Sequence, residues 1–148
     1  MTSVDLKEAA AAYEAASQYF LNLARAVTPD LLDVHAENEW SARQCIHHMA
    51  DSEAQSYARL RRLVAEPDGS VIQGYDEAAW ANEPKLAYAD GAVENAIAVF
   101  VGKLSLLNHF KSSVSNPSIT ISPDSIIPLN IKQIICALSP PGHSLLKL

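Results

Sequence analysis

Long apolar runs are missing from this chain. The longest candidate, Ala96 to Val101, falls far short of the roughly 18 residues a membrane span needs, so a transmembrane helix is excluded at this level. Cysteine is scarce: Cys45 and Cys136 are the two present, and neither sits in a CxxC pair. A disulfide framework is therefore not expected. Gly is 5 and Pro is 8, too few for a collagen-like or linker-dominated chain. Positive charge is in deficit, with 11 Lys and Arg against 17 Asp and Glu and a net charge of -6. Nucleic-acid binding needs a basic face that displaces counterions, so that class of function is set aside. The first residues include Asp5 and Glu8 and lack a basic stretch followed by an apolar one. No secretory signal is expected, and a soluble cytoplasmic protein is the default.

What the chain does have is an ordinary globular composition. Its 148 residues are 49% hydrophobic and 19% charged, which fits a single domain spanning residues 1–148 with one core. Charge is uneven along it. Residues 104–148 hold Asp124 as their one acid, beside Lys111, Lys132 and Lys147, and are otherwise rich in Ser, Ile and Pro. Two readings stand: a diverged C-terminal third of the same domain, or a tail altered by a reading-frame error.

Four amphipathic helical patterns follow one another. In the first, Leu6, Ala9, Tyr13, Ala16, Phe20, Leu23 and Val27 recur at three- and four-residue steps, with Thr2 and Asp5 as a capping pair and Thr28-Pro29-Asp30 as the stop. The second starts at the N-cap Ser41, with Gln44 placed to close a capping box and Trp40 and Cys45 at staple positions. It runs to Ala65, where Glu66-Pro67-Asp68-Gly69 ends it. A long connection follows to about Asp90, with room for one helical turn over Asp76 to Ala81. The third helix begins near Gly91 with Val93, Ile97, Phe100, Leu104, Leu107 and Val114 on one stripe. A short fourth carries Asn130 as cap, Ile131, Ile134, Ile135 and Leu138 as its apolar face, and Pro140-Pro141 as its end. The expected fold class is all-α, a four-helix bundle with one long connection between helices two and three.

Chemistry, if present, belongs to the second helix. At 100° per residue, Ile46, Met49, Tyr57, Leu60 and Val64 form an apolar arc, and Cys45, Ser56 and Leu63 lie on its shoulder. His48, Ser52 and Arg59 extend that shoulder, the lining expected of a cleft between helices. Neutral imidazole is a common ligand of zinc- or nickel-like ions. Glu53 projects from the middle of the apolar arc, and a carboxylate there requires a partner or a raised pKa. Structural roles account for the neighbours: His47 solvated on the far side, Asp51 paired with Arg43 or Arg62, and both cysteines as small buried residues. Trp40, Tyr75 and Trp80 read as staples of the bundle and its long loop.

The stretch Trp40-Ser41 through His48-Met49-Ala50-Asp51-Ser52-Glu53 resembles the DinB/YfiT-like superfamily of metalloenzymes. The segments Ile72 to Trp80 and Ser122 to Ile134 are similar to that family's inter-helix loop and its lead-in to the last helix. The resemblance implies a four-helix bundle, a homodimer, and a divalent metal held by three histidines. One of these matches His48; the other two form a His-x-x-x-His pair on the last helix. It further implies a small-molecule substrate and an activity of thiol S-transferase or metal-dependent hydrolase type. This chain departs from the pattern at that pair, reading Ser139-Pro140-Pro141-Gly142-His143. His48 and His143 are then the expected metal ligands, with Glu53 or Asp51 to complete an otherwise incomplete site. The alternative is a metal-free bundle that binds a small ligand or dimerises. His35 and His109 match no role in the family.

Overall fold

The computed structural model describes residues 6–66, 71 and 74–113. Four α-helices are found there: α1 (Leu6–Ala26), α2 (Ala42–Ala65), α3 (Glu77–Asn82) and α4 (Val93–Ser113). Short 3-10 turns cover Pro29–Leu31 and Pro84–Leu86, and the described residues contain no strand. None of the described helices is long and apolar enough to cross a membrane. The single turn expected at Asp76 is α3. The capping pair at Thr2 and Asp5, the short helix expected after Asn130, and Cys136 and His143 lie outside the described residues.

Local chemistry sets the ends of α2. Ser41 accepts from the Gln44 backbone N–H at 3.2 Å, and the Gln44 side chain accepts from the Ser41 N–H at 2.9 Å, so the capping box is complete. At the other end, Glu66 precedes Pro67. The proline ring disfavours helical geometry in the residue before it, and Glu66 is extended at φ -101 and ψ 155. In the same way the chain leaves α1 through an extended Thr28 ahead of Pro29.

The helices meet along the apolar stripes. Helix α4 packs against α2, and α1 against α4. Phe20 of α1 and Phe100 of α4 stack as tilted rings 5.0 Å apart. Around them Leu21, Ala24, Leu32, Ala42, Ile46, Met49, Ala50, Val93 and Ala96 complete a buried cluster. Each large apolar side chain in it contributes about 1.5–3 kcal/mol relative to exposure. The loop from α1 is tied down by Arg43. Its guanidinium forks onto Asp33 at 2.7 and 2.9 Å and donates a third bond to the Gly91 carbonyl at 2.8 Å. One side chain thus connects the α1–α2 loop, the start of α2 and the approach to α4.

Candidate functional site

His48 lies two turns into α2, with its side chain 9% exposed. Trp40 immediately precedes the Ser41 cap and stands edge-on to the imidazole, with ring centroids 5.0 Å apart. The ring's two nitrogens meet different surroundings. Nδ1 is buried and has no hydrogen-bond partner among the described residues. Nε2 lies 3.4 Å from the Ser52 hydroxyl, one helical turn further along α2.

A second element closes this side of the helix. Ser52 Oγ is 2.8 Å from the Tyr75 hydroxyl, and the Tyr75 ring packs against Trp80 with centroids 4.5 Å apart. Asp76 then caps α3, accepting from the Ala79 N–H at 2.9 Å. That cap starts the helix at Glu77 and brings Glu77 Oε2 to 3.8 Å from His48 Nε2. Burial holds the His48 pKa below the usual imidazole value, while the negative charges of Glu77 and Asp51 oppose that shift. The neutral ring, with a lone pair free on one nitrogen, is the form a metal requires.

Other side chains singled out in the sequence have structural partners. Glu53 is 1% exposed and accepts a hydrogen bond from the Tyr13 hydroxyl on α1, which supplies the partner its position demands. Asp51 pairs with neither arginine. It accepts from the Tyr88 hydroxyl at 2.7 Å, whereas Arg43 is committed to Asp33 and Arg62 lies 3.7 Å from Glu66. His47 is half-buried instead of solvated: its ring packs 5.8 Å from Tyr88, and Nε2 is 3.3 Å from the Gly91 carbonyl. The connection leading into α4, through Tyr88 and Gly91, covers this face of α2. Cys45 is 2% exposed, and burial pushes its thiol up to about 12, so it is an inert packing group and no nucleophile. His35 is exposed in the α1–α2 loop, and Tyr75 and Trp80 staple the connection as expected.

Among the described residues, no three His, Cys, Asp or Glu side chains gather closely enough to hold a metal. Two do approach. An imidazole nitrogen and a carboxylate oxygen 3.8 Å apart can both lie within about 2.2 Å of one point, the distance range of zinc ligands. His48 and Glu77 are therefore suited to a divalent ion as a half-set of donors. Glu77 was not legible as a site residue, because nothing in its spacing relates it to His48. It lies inside the Ile72 to Trp80 segment that resembled the family's inter-helix loop.

Comparison with known proteins adds a further line. The family model described as the DinB superfamily matches residues 12–114, a span that includes α2, α3, α4 and the larger part of α1. A protein of Halalkalibacterium halodurans named "Putative metal-dependent hydrolase" is 38% identical over 35% of this chain and 30% of its own length. One from Oceanobacillus iheyensis with the same description is 48% identical over 28% of this chain and 24% of its own. The Bacillus subtilis protein YfiT, also so described, is 38% identical over 36% of this chain and 30% of its own. The matched part thus spans less than a third of each of these relatives. No solved structure matches the chain.

Proposed function

This chain belongs to the DinB superfamily, and on that premise we propose that it is a metal-dependent enzyme acting on a small molecule, of hydrolase or thiol S-transferase type. The observation that carries the reading is the placement of His48: a mostly buried imidazole whose Nε2 faces Ser52 and Glu77, with Trp40 against its ring and Tyr75 bonded to Ser52. The relatives named metal-dependent hydrolases point the same way. His48 would hold the ion with His143, which lies outside the described residues. A divalent ion bound there would lower the pKa of a water or thiol and so supply a nucleophile near neutral pH.

The chain's own residues set the conditions for that chemistry. Trp40 packs edge-on against the His48 ring. Ser52 and Tyr75 share a hydrogen bond beside Nε2, and either hydroxyl can donate to an incoming oxygen or sulfur. The Tyr75 ring is itself held against Trp80. Asp51 and Glu53 contribute structure: each accepts a tyrosine hydroxyl that joins α2 to its neighbours.

Metal analysis of the purified protein tests the reading. Zinc, nickel or manganese near one equivalent is expected in the native chain and its loss in His48→Ala. Absence of all three, after incubation with each, overturns it. A metal-free ligand-binding or dimeric bundle is the second reading, favoured by the sequence Ser139-Pro140-Pro141-Gly142-His143, which lacks the paired histidines. Under that reading a chelator leaves the melting temperature unchanged. Under the first it lowers it, since an ion that binds only the folded state stabilises that state.

A further inference from the structure

We infer that Glu77 is itself a ligand of the divalent ion, donated from α3, so that a bound ion ties residues 74–82 to α2. The inference rests on the metal reading above and adds to it a carboxylate from outside the second and last helices.

Glu77 and His48 approach each other at the outer limit of ion-pair range. Glu77 Oε2 and His48 Nε2 are 3.8 Å apart. That is too long for an N–H···O hydrogen bond, which closes to about 2.7–3.2 Å. It suits two donors that share one small cation between them. The two candidate carboxylates on α2 are occupied elsewhere: Asp51 takes the Tyr88 hydroxyl and Glu53 the Tyr13 hydroxyl. Among the described residues Glu77 accepts no such bond, and its side chain is half exposed, so it can rotate toward an ion without disturbing the core.

Glu77 is also held near the site from both sides. The preceding Tyr75 is bonded to Ser52, a helical turn from His48. Asp76 caps α3 and fixes the backbone from which Glu77 projects. A ligand at this position would add a tie between residues 74–82 and α2 when the ion is bound. Oxygen and nitrogen donors together suit zinc or nickel.

The test uses the full chain stripped with a chelator and titrated with Zn2+ or Ni2+ against a chromophoric competitor. The Glu77→Gln variant keeps size and polarity but removes the charge, and Glu37→Gln serves as an exposed control. Weakening of roughly tenfold or more is expected for Glu77→Gln, with the control unchanged. Hydrogen exchange supplies a second readout: residues 74–82 should become protected when the ion is added to the native chain and not in Glu77→Gln. Native-like affinity of Glu77→Gln overturns the ligand assignment and leaves the metal reading standing. Protection of residues 74–82 that is equal in both proteins overturns the coupling. A native chain that binds neither ion removes both this inference and the reading beneath it.

Discussion

Tyr13 on α1 donates its hydroxyl to Glu53 on α2, forty residues further along the chain. The carboxylate is among the most buried groups of the molecule. Burial and the adjacent Glu53 charge both push the Tyr13 phenol well above its ordinary pKa, so it remains a donor at any physiological pH. Taking the hydroxyl away leaves a desolvated carboxylate with one fewer hydrogen bond. Tyr13→Phe should therefore cost about 1–3 kcal/mol, read by urea denaturation, and pairing it with Glu53→Gln should recover part of the loss. Strict additivity of the two changes would show that the bond does not couple the helices.

The capping box at Ser41 gives a second expectation. Ser41→Ala removes the acceptor for the Gln44 N–H at the start of the helix that carries His48. A loss of about 1 kcal/mol is expected by thermal or chemical melting, and Ser41→Gly should cost only a few tenths. Equal effects of the two would argue that the hydroxyl contributes nothing.

Gly91, in the approach to α4, sits directly against His47 and Arg43 of α2. A Cβ at this position would meet the Ala87 carbonyl oxygen at 2.6 Å and the His47 ring at 2.9 Å. Backbone cannot yield as a flexible side chain does, so Gly91→Ala should destabilise by about 1–3 kcal/mol. A melting curve that overlays the native one would contradict the packing described for His47.

Ala87 offers the opposite case. Its φ is 58, a left-handed conformation that ends the 3-10 turn at Pro84–Leu86. Glycine adopts that conformation without the Cβ penalty of roughly 1 kcal/mol. Ala87→Gly should raise stability by up to about that amount, less the extra freedom glycine gains in the unfolded chain. A clear drop in melting temperature would refute the expectation.

Cys45 sets a pH dependence. Burial first, and the Glu39 charge second, raise its folded pKa to about 12, above the unfolded value of about 8.5. A raised pKa means the unfolded chain loses its proton first. The stabilising contribution is thus complete below about 8.5 and is lost as pH rises toward the folded value. Stability should fall across that alkaline range, and less steeply in Cys45→Ala. Alkylation followed by peptide mapping should find Cys45 protected in the native state at pH 8 and labelled in denaturant.

Particular residues show how far the sequence could be read. Ser41 and Gln44 were identifiable because capping acts over three residues of chain. Glu53 was recognisable as an anomaly on an apolar arc, but its partner Tyr13 belongs to a different helix, and no local pattern links the two. His47 was misread for the same reason: helical spacing shows which way a ring points, not what element arrives to cover it. Asp51 was assigned to arginines by charge, and the fold brought it a tyrosine.

The amino-acid sequence alone determined the bodies of α1, α2 and α4, the capping box at Ser41, the stops ahead of Pro29 and Pro67, and His48 as the residue to watch. These follow from interactions within a few residues and from the 3.6-residue period, both of which are written in the order of side chains. Only the tertiary structure decided who meets whom: Tyr13 with Glu53, Tyr88 with Asp51, Gly91 with His47 and Arg43, and Glu77 beside His48. Such pairings depend on how rigid helices settle against one another and on where a capped loop lands. Those outcomes depend on the packing of the whole core and on no single stretch of the chain.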